Sequence, residues 1–551
     1  MNAVNQNNDP EISFQNNVPL LPEADKERKR IREILDNKEL KKDQKIQKVV
    51  KLIMKDLKKF GSFSVFNNGT GKGNLARFYW LRTGDLLPIS KKSDSLSALI
   101  YQNYGINPAS SHFKYILAGL RHECAMGEQI LVYNFSHYEP HERILFFPRT
   151  HREMIVATED GINLKPNGED GIYVGGTNNF DPFEYLGTDF CGDGSGIEKY
   201  LLQNLNCLDD SPQFLNKSEA AFILEILLYF IPFANAMETR PILVVDGPKG
   251  SGKSSFLKRF GIALFGQKFS LSLIPRSRRD LETEFANNVL CVFDNVDRQI
   301  NRSLRDAFAA VTTGGGYRSR QLYTDADQTR YTPRPIIAIT TRNPAFSTSD
   351  DDILDRSIIL KLQTLANVMP ENQMVSAVIN HRNEILTEMV NKIPSIIGAL
   401  HGEMTIRPLN GFRMADFANF AYRAALPIFC DRMDEKNITE NLHKIFPKLV
   451  LSQRTYILKD PLHYAVDIYI QKRKKFPVKR ASQALFDEFL KIDKKYKLGF
   501  SETCKSVISF GKLMSNNESV FADRYGYSRH CGSRNKTVHK FTGSNQSFLE
   551  I

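Results

Sequence analysis

Cysteine is scarce and scattered in this 551-residue chain. The seven cysteines never form a Cys-x-x-Cys pair, which argues against a disulfide framework or a zinc ribbon and predicts a reducing, cytoplasmic environment. The first residues lack a basic start followed by an apolar core, so we expect no secretory signal. The sequence also lacks His-Glu-x-x-His, Gly-x-Ser-x-Gly and kinase catalytic-loop motifs, which disfavours those enzyme classes.

Long uninterrupted apolar runs are missing as well. The most apolar segment, residues 220–237, contains Glu225, Pro232 and Asn235, whereas a membrane helix needs about 20 predominantly apolar residues. We therefore expect a buried helix there and no membrane partner. With 42% apolar and 25% charged residues, the composition is that of a folded globular protein, and its length predicts roughly three or four domains.

Negative charge is in deficit, most of all near the C-terminus. The formal net charge is +12, and residues 471–551 contain 17 lysines and arginines against 7 acidic residues. A basic module of this kind is typical of a nucleic-acid-binding surface, although a solvated basic face gives the same composition. DNA is therefore a candidate partner.

The most specific pattern is a phosphate-binding loop. Residues 247–254 read Gly-Pro-Lys-Gly-Ser-Gly-Lys-Ser, follow the apolar run ILVVD and precede the helical pattern SFLKRFGIALFG. A glycine-rich turn from strand to helix directs backbone N–H groups at phosphate oxygens. Lys253 is expected to neutralise the β- and γ-phosphates, and Ser254 to hold Mg²⁺. The residues predicted to bind nucleotide are Gly247, Pro248, Lys249, Gly250, Ser251, Gly252, Lys253, Ser254 and Ser255.

A second apolar run, VLCVF, ends at an acid. Asp294 follows this run, and a carboxylate at the tip of a neighbouring strand can bind Mg²⁺, so we predict a second metal ligand there. The next residue, Asn295, can orient a water but cannot accept its proton. Asp297 is either the catalytic base or the cap of the following helix, and the sequence leaves both open.

Two further polar positions adjoin apolar runs. PIIAITT leads to Asn343, predicted to sense the γ-phosphate and position water. ILDRSIIL places Arg356 before another short strand, where it would stabilise charge on a phosphoryl group bound by a neighbouring subunit. The alternative for Arg356 is an ion pair with Asp352 or Asp355.

Strands that alternate with helices predict a mostly parallel sheet.

Taken in order, GPKGSGKSS, VLCVFDNVD, TTGGGYRSRQLYTDADQTRYTPRP, AITTRNP and ILDRSIIL resemble a superfamily 3 type AAA+ helicase. The likeness covers residues 220–440 and is greatest to poxvirus-type primase-helicase ATPases of phages, plasmids and integrated mobile elements. It implies an AAA+ P-loop core, ATP and Mg²⁺ as cofactors, and a homo-hexameric ring on DNA. NGFRMADF is similar to the helical segment that follows this core, which implies that Arg413 touches nucleotide from the lid.

The same resemblance implies a hairpin over residues 314–331 that projects into the channel of the ring. Arg318, Arg320 and Arg330 would follow a phosphate backbone, while nearby tyrosines either stack on bases or pack. Asp325 and Asp327 occupy the tip, where the best-known viral helicases carry lysine. The sequence therefore does not decide whether the tip contacts DNA.

The end of the chain is similar to the winged-helix domain of these helicases, with two helical patterns followed by a hairpin pattern. Such a fold places a helix in the major groove and a wing on the backbone. A packing or protein-binding module is the alternative. The candidates for phosphate contacts are Lys512, Arg529, Arg534 and Lys536.

We therefore predict a multidomain α/β protein with an AAA+ P-loop core on a parallel sheet, an N-terminal α+β region and a C-terminal winged-helix-like domain. The predicted segments are a charged helical segment over 1–60, a β-rich α+β module over 61–200, the ATPase core over 201–370, a helical lid or connector over 371–465 and the basic module over 466–551. Within the β-rich module, short apolar runs separated by turns predict antiparallel strands and one helix near 110–123.

The predicted function is an ATP-dependent DNA helicase or translocase in replication initiation of a phage, plasmid or mobile element. It would act on single-stranded DNA and on forked or origin duplex. A separate primase is an expected partner, because residues 1–200 show no recognisable primase motif. Asn295 slightly favours a second hypothesis, a regulatory or defence switch that binds DNA without unwinding it. A protein-remodelling ATPase is a third, which the basic tail disfavours.

Overall fold

The structure is a computed structural model of the chain. It describes residues 21, 23–68, 75–80, 84–90, 93–127, 129–175, 180–190, 196–202, 204–207, 211–296, 300, 302–315, 317–320, 328–331, 334–342, 351–365, 369–402, 412–457, 461–473, 475–496, 500–531 and 537–543.

The elements before residue 200 combine helices with two sheets. The helices are α1 (Ala24–Asp36), α2 (Lys42–Leu57), α3 (Asp94–Tyr104) and α4 (Ser111–Met126). The strands are β1 (Gly61–Asn68), β2 (Leu75–Trp80), β3 (Asp85–Pro88), β4 (Gln129–Tyr133), β5 (His137–Glu139), β6 (Ile144–Pro148), β7 (Glu153–Thr158), β8 (Gly161–Pro166) and β9 (Ile172–Val174).

The first sheet corrects the expectation of antiparallel strands with one helix. Its order is β3-β2-β1-β4-β9, and β1 pairs parallel with β4, with Val65 opposite Gln129. A crossover through both α3 and α4 brings the chain back in the same direction, as parallel pairing requires. The antiparallel prediction holds for the second sheet, in which β5, β6, β7 and β8 follow one another as a meander.

The predicted parallel sheet lies at the centre of the chain. Its strands are β10 (Ile242–Asp246), β11 (Leu290–Phe293), β14 (Ile336–Thr341) and β15 (Ser357–Lys361), and all pair in parallel in the order β11-β14-β10-β15. Between β11 and β14, the antiparallel hairpin of β12 (Tyr317–Arg320) and β13 (Gln328–Tyr331) matches the two strands predicted there. The mixed α/β class with a parallel sheet is therefore confirmed.

Helices surround this sheet and continue beyond it. They are α5 (Lys217–Phe230), which runs into a 3₁₀ turn (Ile231–Ala236), then α6 (Lys253–Phe265), α7 (Arg278–Asn287), α8 (Arg302–Thr312), α9 (Asp351–Leu354), α10 (Glu371–Asn380), α11 (Arg382–His401), α12 (Ala415–Phe429) and α13 (Glu435–Ile457). One apolar stretch, Lys217–Ala236, is long enough to cross a membrane, and 83% of its most apolar window is buried inside the protein, as expected for a core helix.

The C-terminal module has a small antiparallel sheet in the order β16-β18-β17. Its elements are α14 (Pro461–Gln471), β16 (Val478–Ala481), α15 (Ser482–Tyr496), α16 (Phe500–Thr503), α17 (Val507–Asn516), α18 (Glu518–Tyr525), β17 (Ser528–Cys531) and β18 (Thr537–Phe541). Its hydrophobic core extends from Leu462 to Phe541 and contains no residue of the central sheet. The winged-helix assignment stays a prediction.

Both faces of the central sheet are buried. Successive residues of a strand point to opposite sides of the sheet, so each strand contributes to two cores. Along β10, Leu243 and Val245 enter one core, while Ile242 and Val244 enter the other. The first core also contains residues as far apart as Phe135 and Leu449. The β5–β8 meander and α11–α13 thus share a core with the sheet. The five-segment division stays a prediction, since a shared core does not decide which segments fold alone.

Candidate nucleotide-binding site

The phosphate loop follows β10 and leads directly into α6. Gly250 and Gly252 have positive φ angles of 79° and 78°, a conformation that glycine adopts without the steric cost of a Cβ. Gly247 is needed for another reason: a Cβ there would lie 2.6 Å from the Leu362 carbonyl oxygen. The glycines of the motif therefore allow the loop to turn tightly against the segment after β15.

Lys253, the first residue of α6, is buried with only 7% of its surface exposed. Its Nζ donates hydrogen bonds to the carbonyl oxygens of Gly247 at 2.7 Å and Pro248 at 2.8 Å. A buried ammonium requires such acceptors. A phosphate in the loop would offer charged acceptors in the same place, which suits the predicted role of Lys253.

Asp294 lies one residue beyond β11 and receives hydroxyl groups from two other elements. Ser254 Oγ donates to its Oδ1 at 2.6 Å, and Thr340 Oγ1 donates to the same oxygen at 2.5 Å. The two residues predicted to bind Mg²⁺, Ser254 and Asp294, are thus brought into direct contact. Hydroxyl and carboxylate oxygens are the ligands that Mg²⁺ takes from protein, with phosphate and water completing its octahedron, so the pair fits this ion.

Asn295 continues the chain in a left-handed conformation, with φ of 55°. Asparagine tolerates this region better than most residues. Its backbone N–H donates to Thr340 Oγ1 at 2.9 Å, and its side-chain Nδ2 donates to Asp294 Oδ2 at 3.1 Å. Asn295 therefore orients the Asp294 carboxylate, while its side chain stays at the exposed end of the cleft.

The role of Thr340 was missed by sequence reasoning. This side chain is completely buried, near the end of β14, and its hydroxyl connects Asp294 with Asn295. Sequence alone hides the contact because β11 and β14 are neighbours only in space. The detectable signal was a polar residue, in PIIAITT, that breaks an otherwise apolar strand.

A buried ion pair at the end of β10 was also missed. Lys361 Nζ lies 2.5 Å from Asp246 Oδ2, and Asp246 is only 1% exposed. A buried carboxylate needs a cation or several hydrogen bonds, and the parallel register of β10 with β15 places Lys361 opposite Asp246. This pair joins the last residue of the phosphate-loop strand to the edge strand of the sheet.

The loop opens onto a cleft of about 810 Å³ that Ile274, Val296 and Arg342 also line. Lys249 and Arg342 are exposed at this cleft, and Lys253 lies at its base. Cations together with the N-terminus of α6 create a positive potential, which suits a polyphosphate. Of these lining residues, Arg342 belongs to the segment AITTRNP but was not chosen as a candidate from the sequence.

Arg356 and Arg413 do not line this cleft in the part of the chain that the structure describes. Arg356 is the residue before β15, and its carbonyl oxygen accepts a hydrogen bond from Ile242 N, at the first residue of β10. Arg413 Nε lies 3.1 Å from the carboxylate of Asp355. Both arginines therefore belong to the edge where β10 and β15 begin, hereafter the strand-start edge, whereas the phosphate loop lies at the strand-end edge.

The DNA-contact candidates belong to the hairpin and the C-terminal module. Register places Arg318 opposite Arg330, with Arg320 opposite Gln328. In the C-terminal module, Lys512 is exposed on α17, and Arg529 on β17 lies 3.8 Å from Glu518. The remaining sequence candidates, Asp297, Asn343, Asp325, Asp327, Arg534 and Lys536, lie outside the described residues, as does the side chain of Asp352.

No protein-family model matches the chain, and no curated protein matches it. Among solved structures, the chain aligns with "SCCmec type IV Cch - active helicase" at 14% identity over 89% of this chain and 95% of that one, with a TM-score of 0.44. It aligns with the NrS-1 C-terminal region at 10% identity over 90% and 98%, with a TM-score of 0.37. The JCV helicase aligns at 11% identity over 48% and 68%, with a TM-score of 0.22.

Proposed function

We propose that the chain is an ATP-dependent DNA helicase and translocase that acts as a ring in replication initiation of a phage, plasmid or mobile element. One observation supports the ATPase above all: the Ser254 hydroxyl donates to Asp294 beside the phosphate loop, inside a cleft rich in cations. Each of these groups has a function in phosphoryl transfer, which depends on positioning and electrostatic stabilisation.

Within this proposal, the loop N–H groups and Lys253 bind the β- and γ-phosphates. Ser254 and Asp294 hold Mg²⁺, which would neutralise charge as it develops on the phosphoryl oxygens. Asn295 and Thr340 keep the Asp294 carboxylate in one orientation, through the hydrogen bonds described above. Asn343 is proposed to position the attacking water, and Arg356 to reach the γ-phosphate of a neighbouring subunit.

DNA as the substrate is supported by charge and by the order of elements. Arg318 and Arg330 are at opposite positions in the backbone register of the hairpin, and arginines in such a pattern are suited to a phosphate backbone. In the C-terminal module, a strand, four helices and a hairpin follow one another, and Lys512 is exposed on the third of these helices, α17. This order supports the winged-helix proposal, in which α17 enters the major groove.

The test is ATP hydrolysis with and without single-stranded DNA, together with unwinding of a forked duplex, both at stated salt. We expect DNA to stimulate hydrolysis and the Lys253→Ala variant to lose hydrolysis and unwinding together. If Lys253→Ala still unwinds the duplex without hydrolysing ATP, the proposal is contradicted, because strand separation then does not depend on ATP hydrolysis.

Asn295 favours one second candidate, a nucleotide-dependent DNA-binding switch that does not unwind. The Asn295 side-chain amide, which is hydrogen-bonded to Asp294, cannot accept a proton from the attacking water. Hydrolysis should therefore be slow, which suits a switch. The two candidates differ in turnover: a switch binds ATP and DNA but hydrolyses at a rate that DNA leaves unchanged. Fast DNA-stimulated hydrolysis would exclude the switch.

A further inference from the structure

The helix α2 and its flanking residues have one outward side that consists of lysine and glutamine alone. At 100° per residue, the exposed positions between 44 and 59, together with position 41, lie within about 120° of the helix circumference. We call this side the lysine stripe. It contains six lysines, two glutamines and no acidic residue: Lys41, Gln44, Gln47, Lys48, Lys51, Lys55, Lys58 and Lys59.

The opposite side of α2 is already occupied by the protein itself. Val49, Ile53 and Leu57 are buried in a core that the N-terminal elements form without any residue of the central sheet. α4 crosses this side closely, since a Cβ on Gly119 would lie 2.7 Å from Cγ1 of Val50. A helix that inserts into a membrane surface needs its apolar side for lipid. Only the lysine stripe of α2 is therefore left for a partner, and the partner must be recognised by charge.

The neighbouring helix α1 is as rich in charge but compensates it internally. Arg28 lies 3.1 Å from Asp25, and Arg30 lies 3.2 Å from Glu27. Basic and acidic residues thus pair along α1 at the spacing at which helix side chains are neighbours. A partner that is attracted by charge would find little uncompensated charge there.

The lysine stripe is compensated only at its C-terminal end. Lys58 and Lys59 have acidic partners at 3.8 and 2.9 Å. Lys48, Lys51 and Lys55 are exposed, and within the described part of the chain no carboxylate lies at ion-pair distance from them. Like charges three or four residues apart destabilise a helix. The middle of the stripe therefore has a repulsion that a bound polyanion would remove.

The length and the residue types of the stripe fit a duplex backbone. From Lys41 to Lys59 the helix rises about 27 Å, and duplex DNA carries one negative charge per about 1.7 Å of its axis. Lysine offers a compact charge on a flexible stem, and glutamine adds amide donors, both of which suit phosphate oxygens. The stripe has no aromatic residue on which the bases of a single strand could stack.

We propose that the lysine stripe binds the phosphate backbone of duplex DNA without regard to sequence. This surface is separate from the β12–β13 hairpin and from the C-terminal module, and it gives the N-terminal helices a function. The inference goes beyond the proposed helicase and does not need it, because contact with the backbone requires neither ATP nor the central sheet. Binding is therefore measured without nucleotide, and a chain that hydrolyses no ATP would leave the inference intact.

The first test is the salt dependence of duplex binding by the full chain, measured by fluorescence anisotropy. The variant combines Lys48→Gln, Lys51→Gln and Lys55→Gln, which remove three charges and keep good helix formers. Each lost phosphate contact lowers the slope of log affinity against log salt by about 0.9, so we expect a decrease of about 2.7. Duplexes of unrelated sequence should give the same decrease.

The matched control removes three charges from exposed positions of α1 in the same way, through Lys26→Gln, Lys29→Gln and Arg32→Gln. We expect this control to keep nearly the wild-type slope. The same decrease in both variants would overturn the proposal, because net charge alone would then explain it. An unchanged slope in the α2 variant would overturn it as well.

A second measurement locates the contact on the wild-type chain, independently of any variant. Lysine acetylation followed by peptide mass spectrometry should show Lys48, Lys51 and Lys55 reacting several-fold more slowly when duplex is bound. Lys26, whose side chain is 62% exposed on α1, should react at the same rate with and without duplex. Unchanged acetylation of the stripe overturns the proposal. Protection by single-stranded DNA or by phosphatidylserine vesicles, but not by duplex, also overturns it and identifies the other polyanion as the partner.

Discussion

The strand-end edge of the central sheet and the C-terminal module both contain predicted functional residues, but they hold them differently. At the strand-end edge, Lys253 and Asp294 each have two or more hydrogen-bond partners at 2.5–3.2 Å. In the C-terminal module, Lys512 and Arg529 are exposed, and the Arg529 contact with Glu518 is 3.8 Å long. Phosphoryl transfer requires fixed geometry, whereas attraction to a DNA backbone requires charge within a short distance. The two regions should therefore respond differently to substitution.

The largest difference is expected for Lys253→Ala. This change removes the cation of the phosphate loop, so the rate of ATP hydrolysis should fall by about 10³-fold. The affinity of the C-terminal module for duplex DNA, measured by fluorescence anisotropy, should stay at the wild-type value. Lys258→Ala is the matched control, because Lys258 is one turn further along α6 and forms an exposed pair with Glu371. Equal loss of duplex affinity and hydrolysis in Lys253→Ala would show that the two regions are not separable.

The next effect concerns acid stability of the C-terminal module. His539 is fully buried between Tyr527 and Ser482, and burial lowers the pKa of its imidazole to about 4. The unfolded chain takes up this proton near pH 6.5 and the folded module only near pH 4, so the free energy of unfolding should fall by about 3 kcal/mol as pH drops through this window.

Hydrogen exchange of residues 475–543 measures this loss of stability. His539→Gln should flatten the pH dependence, whereas His530→Gln, on the exposed part of β17, should keep it. An unchanged slope in His539→Gln would mean that another group controls acid unfolding of the module.

A smaller effect is expected for Thr340→Val, which removes the hydroxyl between Asp294 and Asn295. Partners that orient a metal ligand are worth about 10- to 100-fold in activity, so kcat for ATP should fall by that factor with little change in duplex binding. Thr340→Ser keeps the hydroxyl and should restore most of the rate. A Val variant with wild-type kcat would show that Asp294 needs no support from β14.

The smallest effect is expected for Lys512→Ala and Arg529→Ala. Each variant should weaken duplex binding uniformly across sequences and reduce the slope of log affinity against log salt by about one. Lys436→Ala, which removes an exposed lysine of α13, is the control for a general loss of charge. A slope that stays constant in both variants would exclude these residues from the phosphate contacts.

The sequence predicted most of what lies along the chain in the central sheet. The order strand, phosphate loop and helix is local, so Gly247 and Lys253 could be placed before the structure was known. The Ser254–Asp294 contact followed from the known pairing of a phosphate loop with a strand-end acid. The hairpin strands 317–320 and 328–331 were visible because turn residues separate two short β patterns.

Contacts between distant strands were not predictable in the same way. Strand order places β14 between β11 and β10, and only this order brings the Thr340 hydroxyl to Asp294. The ion pair of Lys361 with Asp246 depends on the register of β15. The left-handed backbone of Asn295 reflects the hydrogen bonds that surround it, which no local pattern encodes. The contact of Arg413 with Asp355 was unpredictable for the same reason, because it depends on how α12 and α13 pack against the start of β15.

The core that the β5–β8 meander shares with α11–α13 has a consequence for synthesis of the protein. Strand β8 ends at Pro166, and α11 begins only at Arg382, about 200 residues later. At roughly 5–20 residues per second, a ribosome adds that length in about 10–40 s. During this time Leu145, Phe147 and Ile155, all in the shared core, have no α11 to cover them. We therefore expect the nascent chain to depend on chaperones, and slow translation between the meander and α11 should raise its tendency to aggregate.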